Sequence, residues 1–218
     1  MGSPKDEIER MADREQQHLV TLTRGYWLAD TACTQALWIA VTGINPSRFQ
    51  ESLNLPVETV SWDDVKQFIR RLNAQETGLN ARLPTEAEWE YACRAGTSTP
   101  FSFGTRITPN QVNFNGNYPY AGAKKARYRE KTVPVKSLPA NLWGLYEMHG
   151  NVWEWCADWL DIYHANETVD PKGPNSGVSR VLRGGSWHSH ARRTRSTYRY
   201  WTTPDARLQN IGFRLALG

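Results

Sequence analysis

Cysteine is scarce in this sequence of 218 residues, and none occurs after Cys156. Cys33, Cys93 and Cys156 are an odd number without short spacing, which fits neither a disulfide framework nor a zinc site. Cys93 falls on the apolar side of a predicted helix and Cys156 in a tryptophan-rich run. We therefore expect all three thiols to be buried packing groups.

Long hydrophobic runs are also missing. No apolar stretch approaches the roughly 18–20 residues that span a bilayer, and the polar start shows no signal peptide. We expect a cytoplasmic protein by default, with a removed leader left open. Repeats and low-complexity segments are absent, charged residues make up 22%, and the mean hydropathy is negative. These values indicate a folded chain, and its length favours one large domain over residues 1–218.

Acidic residues are nearly absent from the C-terminal part of the chain. Residues 180–218 contain eight arginines and one acid, Asp205, whereas the stretch just before them is acidic. The two segments could neutralise each other, because Arg pairs well with carboxylates, or the arginines could form a positive face for an anionic ligand or nucleic acid. We favour neutralisation. No lysine-rich tail or nucleic-acid module is present, so nucleic acid is not an expected partner.

Two helices are clearly indicated. From Ser61 to about Thr77, apolar residues follow at helical spacing after a good N-cap. At Thr85 a capping box with Glu88 begins the second helix. A shorter helix over Thr31–Val41 is also predicted.

The strands that the sequence predicts are short. They cover His18–Leu28, Ser179–Leu182 and Asn210–Leu217. Between Gly96 and Leu142 no period is visible, and a loop of this length usually needs a ligand or an ion to hold it. The pattern predicts a loop-rich α+β domain with two or three helices around short antiparallel strands.

Four motifs in this order carry a resemblance. They are Met1-Gly2-Ser3 followed by the His18–Leu22 strand; Arg82-Leu83-Pro84-Thr85-Glu86-Ala87-Glu88-Trp89-Glu90-Tyr91-Ala92; Gly144-Leu145-Tyr146-Glu147-Met148-His149-Gly150-Asn151-Val152-Trp153-Glu154-Trp155; and Arg183-Gly184-Gly185-Ser186-Trp187 through Gly212-Phe213-Arg214. The chain resembles the formylglycine-generating enzyme (sulfatase-modifying factor) family over nearly its whole length. The resemblance implies a fold similar to C-type lectins, often with structural calcium.

Structural calcium is implied at one segment. By resemblance, one of the family's calcium sites falls on the Glu147 side chain, the Gly150 and Val152 carbonyls, and Glu154. Calcium takes six to eight oxygen ligands that mix carboxylates and carbonyls, so these residue types suit it. The alternative is that these acids pair with C-terminal arginines. A second site would use Asn113, the Phe114 carbonyl and an acid near residue 127, where this sequence is basic.

The thiol pair of the family is missing. By resemblance, the generating enzymes oxidise a substrate cysteine with copper held by two thiolates shortly after the Gly-Gly-Ser motif, because soft sulfur holds Cu(I). Here that loop reads Trp187-His188-Ser189-His190-Ala191-Arg192-Arg193-Thr194. We therefore expect neither copper nor formylglycine generation. The pair His188 and His190 could ligate a metal, but no third ligand is apparent.

The remaining side chains of the C-terminal segment are typical of a binding loop. We predict a non-catalytic domain that binds an unknown protein or small-molecule ligand, and the variable protein of a diversity-generating retroelement is a special case of it. One alternative is a metal-dependent oxidative maturation enzyme with other chemistry, and another is a regulatory module of a larger protein. The candidate ligand-binding residues are Trp187, His188, Ser189, His190, Arg192, Arg193, Tyr198, Tyr200 and Trp201.

Overall fold

Three α-helices occur in the described part of a computed structural model, which covers residues 1–163 and 166–218. They are α1 (Gln35–Thr42), α2 (Trp62–Gln75) and α3 (Glu86–Arg94). Helices α2 and α3 begin directly after Ser61 and Thr85, and each cap completes a capping box with the acid three residues later. Both predicted helices are confirmed.

Helix α1 begins later than the sequence indicates. A helix over Thr31–Val41 was expected, but α1 starts at Gln35 because the hydroxyl of Thr34 accepts the N–H of Leu37 and caps the helix there. Gly43 ends the helix in the left-handed conformation, with φ of 81°. The helix itself is confirmed, with a corrected start.

Nine short strands occur in the described ranges: β1 (Val20–Thr21), β2 (Trp27–Leu28), β3 (Ala81–Arg82), β4 (Trp153–Trp159), β5 (Thr168–Val169), β6 (Arg180–Arg183), β7 (Tyr200–Thr202), β8 (Ile211–Gly212) and β9 (Ala216–Leu217). A four-stranded sheet has the order β7-β6-β4-β8, and a three-stranded sheet has the order β2-β9-β3. Strands β1 and β5 form a separate pair.

The expectation of antiparallel strands is partly wrong, since β1 with β5 and β4 with β8 are parallel pairs. The strand predicted over Asn210–Leu217 is in fact β8 and β9, which belong to different sheets. Between them the chain leaves both ladders, because the Phe213 and Leu215 carbonyls accept hydrogen bonds from the N–H groups of Cys33 and Ala29 at 2.8 and 2.9 Å. The strand predicted over residues 18–28 is likewise divided into β1 and β2.

The main core lies between helices α1 and α2 and the four-stranded sheet. The rings of Trp38 and Phe68 stack 4.9 Å apart, and Phe213 meets both of them edge-on. Trp155 on β4 and Leu182 on β6 complete this cluster from the sheet. Each of these large side chains contributes about 2–3 kcal/mol by leaving water, so this cluster supplies much of the folding free energy.

A second cluster packs on the other face of the sheet. It joins Trp89 of α3 to Cys156 of β4 and Val181 of β6. Because side chains alternate along a strand, the neighbours Trp155 and Cys156 point into different clusters. All three cysteines are buried, as predicted.

The connection over residues 96–142 lies wholly within the described part and contains no α-helix or sheet strand. The protein's own contacts hold it. Phe101 and Tyr120 belong to a third apolar cluster, where their rings meet edge-on at 5.1 Å. The amide nitrogen of Asn113 donates to the side-chain oxygen of Asn151 at 3.1 Å, which ties the connection to the segment before β4.

No helix in the described ranges is long and apolar enough to cross a membrane.

Candidate binding surface

Half of the C-terminal arginines are buried instead of facing a ligand: Arg183, Arg195, Arg199 and Arg214. Each bonds to carboxylate oxygens, which belong to Glu7, Glu15, Glu86, Glu90 and Glu154. Neutralisation by the preceding acidic stretch is therefore confirmed for Arg214, and the other three arginines are neutralised by acids nearer the N-terminus. The partners differ from those expected, since only Glu154 comes from the acidic stretch that precedes the segment.

Arg183 shows what these pairs do for the segment. Its Nη2 donates to Glu90 on α3 at 2.6 Å, and its Nη1 donates to the carbonyls of Thr197 and Tyr198 at 3.0 and 2.9 Å. The guanidinium thus fixes the backbone before β7 against helix α3. Charge-assisted hydrogen bonds of this length are stronger than neutral ones, so this part of the segment is a rigid support.

Gly184 and Gly185 allow the chain to turn beside its neighbours. Their φ angles are 90° and 77°. A Cβ on Gly185 would lie 2.5 Å from Cγ2 of Thr194, and one on Gly184 would lie 3.0 Å from the Trp89 ring. Glycine adopts these positive φ angles without strain and leaves room for the neighbouring segments.

Ser189 belongs to the turn that follows the glycines. Its Oγ accepts the N–H of Ser186 at 3.0 Å, and its own N–H donates to the Ser186 carbonyl at 2.9 Å. The residue is buried. This corrects the expectation that Ser189 contacts a ligand, because its hydroxyl closes the turn.

Trp187 is also buried, beneath Tyr128 and His188. Its exposed fraction is 6%, and its indole N–H donates to the Gln209 carbonyl at 3.3 Å. The ring of Phe49 meets it edge-on at 5.6 Å. The hydroxyl of Tyr128 lies 2.8 Å from Nδ1 of His188, which is exposed. Trp187 therefore supports the surface, and His188 and Tyr128 present their polar atoms on it.

His190 forms a separate pair with Tyr118. The two rings stack with centroids 3.9 Å apart and planes 14° from parallel. Partial burial and the charges of Arg193 and Arg192 lower the pKa of His190 below its ordinary value of 6.5. The ring is neutral at pH 7, so it supports Tyr118 and adds no charge.

Two backbone hydrogen bonds join the loops that carry these pairs. The N–H of Asn115 donates to the Ser189 carbonyl at 2.9 Å, and the N–H of Ala191 donates to the Tyr118 carbonyl at 3.0 Å. Residues 115–129 and 187–193 form one continuous surface in this way, which we call the crossed-loop surface. Neither range contains an acidic residue. The cations that it exposes are Lys124, Lys125, Arg127 and Arg192.

The other predicted contact residues lie apart from this surface or beneath it. Tyr198 is 5% exposed and belongs to the main core, so the expectation that it contacts a ligand is corrected. Tyr200 stacks on Trp153 at 5.1 Å, and the Trp201 ring lies under the guanidinium of Arg14 at 4.6 Å. Arg193 is half-buried. The structure brings together His188, His190 and Arg192, and places the β7 residues elsewhere.

Tyr118 and Tyr128 were missed by reasoning from sequence. Their ring partners lie 72 and 60 positions further along the chain, as the pairs Tyr118–His190 and Tyr128–His188 show. The available signal was weak. It consisted of repeated tyrosines in an irregular stretch and a basic run at residues 124–129 where an acid was expected.

The four residues predicted to bind calcium are not equally suited to hold the ion. Both oxygens of Glu154 accept hydrogen bonds from Arg214, at 2.7 and 2.8 Å, and one also accepts the indole N–H of Trp89 at 2.7 Å. Both oxygens of that carboxylate are occupied by these hydrogen bonds, so Glu154 does not suit a calcium ion. Gly150 and Val152 are buried in the turn that leads into β4.

Glu147 is a better donor for a cation. It is buried, and within residues 1–163 and 166–218 its oxygens receive only long hydrogen bonds, from the N–H groups of Lys136 and Leu138 at 3.3 and 3.4 Å. Burial raises the pKa of this carboxyl to about 7. The carboxylate of Glu147 and the carbonyls of Gly150 and Val152 are oxygen donors of the kind that calcium takes.

The His188 and His190 rings do not act as a pair. Nδ1 of His188 is engaged by Tyr128, and the His190 ring is stacked on Tyr118. Across the part of the chain that the structure describes, no group of three or more His, Cys, Asp or Glu side chains is placed to hold a metal.

Comparison with known proteins places the chain among proteins of one family. The family model of the sulfatase-modifying factor enzyme 1-like domain matches residues 3–218. The formylglycine-generating enzyme of Mus musculus is 37% identical over 195 residues, which cover 82% of this chain and 50% of the mouse protein. The inactive C-alpha-formylglycine-generating enzyme 2 of Mus musculus is 37% identical over 190 residues, covering 84% of this chain and 55% of that protein. The chain thus spans about half the length of these relatives.

A solved structure agrees with the sequence comparison. Treponema denticola variable protein 1 superposes with a TM-score of 0.82 at 32% identity, and the match covers 99% of this chain and 90% of that one. The α+β fold expected from the four motifs is confirmed. The chain belongs to the sulfatase-modifying factor enzyme 1-like domain family.

Proposed function

We propose that this domain binds a protein or small-molecule ligand through the crossed-loop surface and catalyses no formylglycine formation there. The observation that carries the proposal is the coupling of the two loops. Tyr118 and Tyr128 from one loop pair with His190 and His188 from the other, and the backbones are hydrogen-bonded. Such a surface is ordered before a ligand arrives, which lowers the entropy cost of binding.

The chemistry of the thiols argues against the activity that names the family. The loop over residues 187–194 has no cysteine, and the three cysteines of the chain are buried. Burial raises the pKa of all three thiols, that of Cys93 to about 12. They therefore stay protonated, and none can supply a thiolate to copper at the protein surface.

Two relatives support a binding function. One of the 37%-identical mouse proteins is named as an inactive enzyme, so this fold occurs without the activity. The similar Treponema structure is named as a variable protein. This likeness supports the special case of our proposal in which the domain is the variable protein of a diversity-generating retroelement.

Calcium is proposed as a structural ion at Glu147 with the carbonyls of Gly150 and Val152. The support is a buried carboxylate that has no short hydrogen bond in the described structure. The Glu154 side chain is left out of this proposal, because Arg214 neutralises it.

Two measurements test the proposed function. The domain, loaded with copper, is incubated in air with a cysteine-containing sulfatase peptide, and the peptide is assayed for an aldehyde by mass spectrometry. We expect no aldehyde. A phage-displayed peptide library is then selected on the immobilised domain, and the binders are tested against His188→Ala and Tyr128→Ala.

We expect these variants to reduce capture roughly tenfold, which corresponds to about 1.4 kcal/mol. Trp27→Ala is the matched control, because Trp27 is an aromatic residue of β2 that is 79% exposed and lies outside the crossed-loop surface. Aldehyde formation would overturn the proposal. So would selected peptides whose capture is equal for the wild type and both crossed-loop variants.

A further inference from the structure

We propose that the partner of the crossed-loop surface is a protein that presents an acidic peptide segment. The proposal rests on the proposed function and deepens it by naming the chemistry of the partner. It is carried by three features of the described residues: a rigid loop that holds cations outward, side chains without internal partners, and an open hollow beside an exposed ring.

The first feature is the closed neck of the loop over residues 116–126. The N–H of Ala126 donates to the Gly116 carbonyl at 2.9 Å, so the two ends of the loop are joined. A Cβ at position 116 would lie 2.4 Å from the Ala126 carbonyl oxygen, and only glycine allows this approach. Inside the loop, the Tyr120 hydroxyl donates to the Ile8 carbonyl at 2.6 Å. The loop is therefore fastened both to itself and to the N-terminal segment.

The second feature is charge. The side chains of Lys124, Lys125, Arg127 and Arg192 have no hydrogen-bond or ion-pair partner within residues 1–163 and 166–218. Surface cations elsewhere do find acids, as Arg207 does with Asp64 at 2.7 Å.

Two acids beside the crossed-loop surface offset only part of this positive charge. Glu9 accepts the backbone N–H of Ala121 at 3.0 Å, and Glu130 is exposed just beyond residue 129. Four cations in two joined loops leave an excess of positive charge, which attracts carboxylates and speeds their encounter.

The third feature is a hollow of about 490 Å³, lined by Tyr118, His190 and Arg192 of the two loops and by Glu9 of the N-terminal segment. Tyr118 is 52% exposed and is backed by the His190 ring. An arginine fork can hold a carboxylate with two parallel hydrogen bonds, while the tyrosine face packs against a neighbouring apolar side chain. Acidic residues that alternate with apolar ones fit this arrangement.

A peptide suits the hollow better than a nucleic acid. Single-stranded nucleic acids bind along grooves where several aromatic rings stack on successive bases. Here the hollow offers one exposed tyrosine ring, that of Tyr118, with His190 behind it. Lys124 and Lys125 are exposed on the closed loop over residues 116–126 and do not line the hollow. Nucleic acid is therefore the alternative that the experiment must separate.

The test is fluorescence anisotropy with the whole domain and three labelled probes. They are a peptide of alternating glutamate and leucine, the same peptide with lysine in place of glutamate, and an oligo-deoxythymidine of equal charge to the acidic peptide. We expect the acidic peptide to bind at least about tenfold more tightly than the basic one, with an affinity that falls as salt rises.

Charge reversal locates the site. Arg192→Glu, and separately the double change Lys124→Glu with Lys125→Glu, should each weaken binding of the acidic peptide roughly tenfold. Lys172→Glu is the matched control, because Lys172 is an exposed cation outside the crossed-loop surface. Far-ultraviolet circular dichroism of each variant checks that the fold is kept. Arg192→Lys retains the charge but loses the fork, so it should weaken binding less than Arg192→Glu does.

Equal binding of the two peptides, or reversals no stronger than the control, would overturn the acidic partner. Tighter binding of the oligonucleotide would overturn it too and assign the surface to nucleic acid. The proposed function is tested separately. If the peptides selected from the library still depend on His188 and Tyr128 while charge reversal has no effect, the binding function stands and only the acidic partner fails.

Discussion

Arg195 and Glu15 meet through two hydrogen bonds of 2.8 Å each, one from Nη1 and one from Nη2. Both side chains are fully buried. The pair joins the N-terminal segment to the 3-10 helix (Ala191–Thr194) that ends one residue before the arginine. The crossed-loop surface therefore rests on a buried ion pair whose two members are 180 positions apart.

Loss of the Glu15 charge should destabilise the whole domain. Arg195 keeps Glu7 as an ionic partner in Glu15→Gln but loses its pair of charge-assisted hydrogen bonds to Glu15, so we expect the free energy of unfolding to fall by about 2 kcal/mol. The measurement is urea unfolding followed by tryptophan fluorescence. Asp13→Asn is the control, because its ion pair with Arg14 is exposed and should be worth less than about 0.5 kcal/mol. Similar urea midpoints for the two variants would show that the buried pair is not a major support.

A buried histidine makes the stability depend on pH. Nε2 of His149 accepts the N–H of Ser102 at 3.0 Å, so the neutral ring carries its proton on Nδ1, which donates to the Thr194 carbonyl at 2.7 Å. Burial lowers the pKa of this imidazole to about 4. Below pH 6.5 the unfolded chain binds a proton that the folded protein does not, until the folded imidazole is itself protonated near pH 4. Stability from this group is thus present above pH 6.5 and lost as pH falls through this window.

The His149 contribution is measured by urea unfolding between pH 7.5 and 4. We expect the wild type to lose up to about 3 kcal/mol more than His149→Gln over this range, beyond the titration of groups that the two proteins share. The variant will be less stable at pH 7.5, so the difference in slope is the quantity that matters. Parallel pH profiles for the two proteins would show that the imidazole keeps an ordinary pKa when folded.

Local signals and distant contacts explain which parts of the structure were predictable. Helices α2 and α3 were found because the caps Ser61 and Thr85 act on residues only three positions away. The sheets were harder, because strands of two residues have almost no periodicity and their partners are set by tertiary packing. The division of the final strand into β8 and β9 depends on the segment that contains Cys33, far away in the chain.

The candidate site shows the same limit. The paired glycines Gly184 and Gly185 are visible in the sequence, and both have positive φ angles in the structure. Ser189 was expected to contact a ligand, but its hydroxyl closes a turn, and the sequence does not distinguish these two roles of a serine. The sequence around Tyr118 did not predict its place on the surface, because that place depends on stacking with His190 in another loop.

Calcium should stabilise the protein through Glu147. If the ion binds the folded state alone, a concentration of about 100 times Kd adds about 2.7 kcal/mol, which raises Tm by roughly 5–10 °C. Glu147→Gln should remove this response, while Glu51→Gln, a change at an exposed glutamate, should keep it. The measurement is the difference in Tm between calcium and EGTA at pH 8. No difference for the wild type, or an equal one for Glu147→Gln, would rule out calcium at this carboxylate.

The neck of the loop over residues 116–126 gives the last prediction. In Gly116→Ala the new methyl group would overlap the carbonyl oxygens of Ala126 and Arg127, each 2.4 Å from the ideal Cβ position. The loop must open to admit it, so we expect a loss of about 1–3 kcal/mol in unfolding free energy and weaker binding of the acidic peptide. Gly25→Ala is the control, because nothing lies within 4 Å of its added Cβ. Anisotropy and thermal melting report the two effects separately. An unchanged affinity in a destabilised Gly116→Ala protein would mean that the closed neck serves the fold and does not hold the lysines in place for a partner.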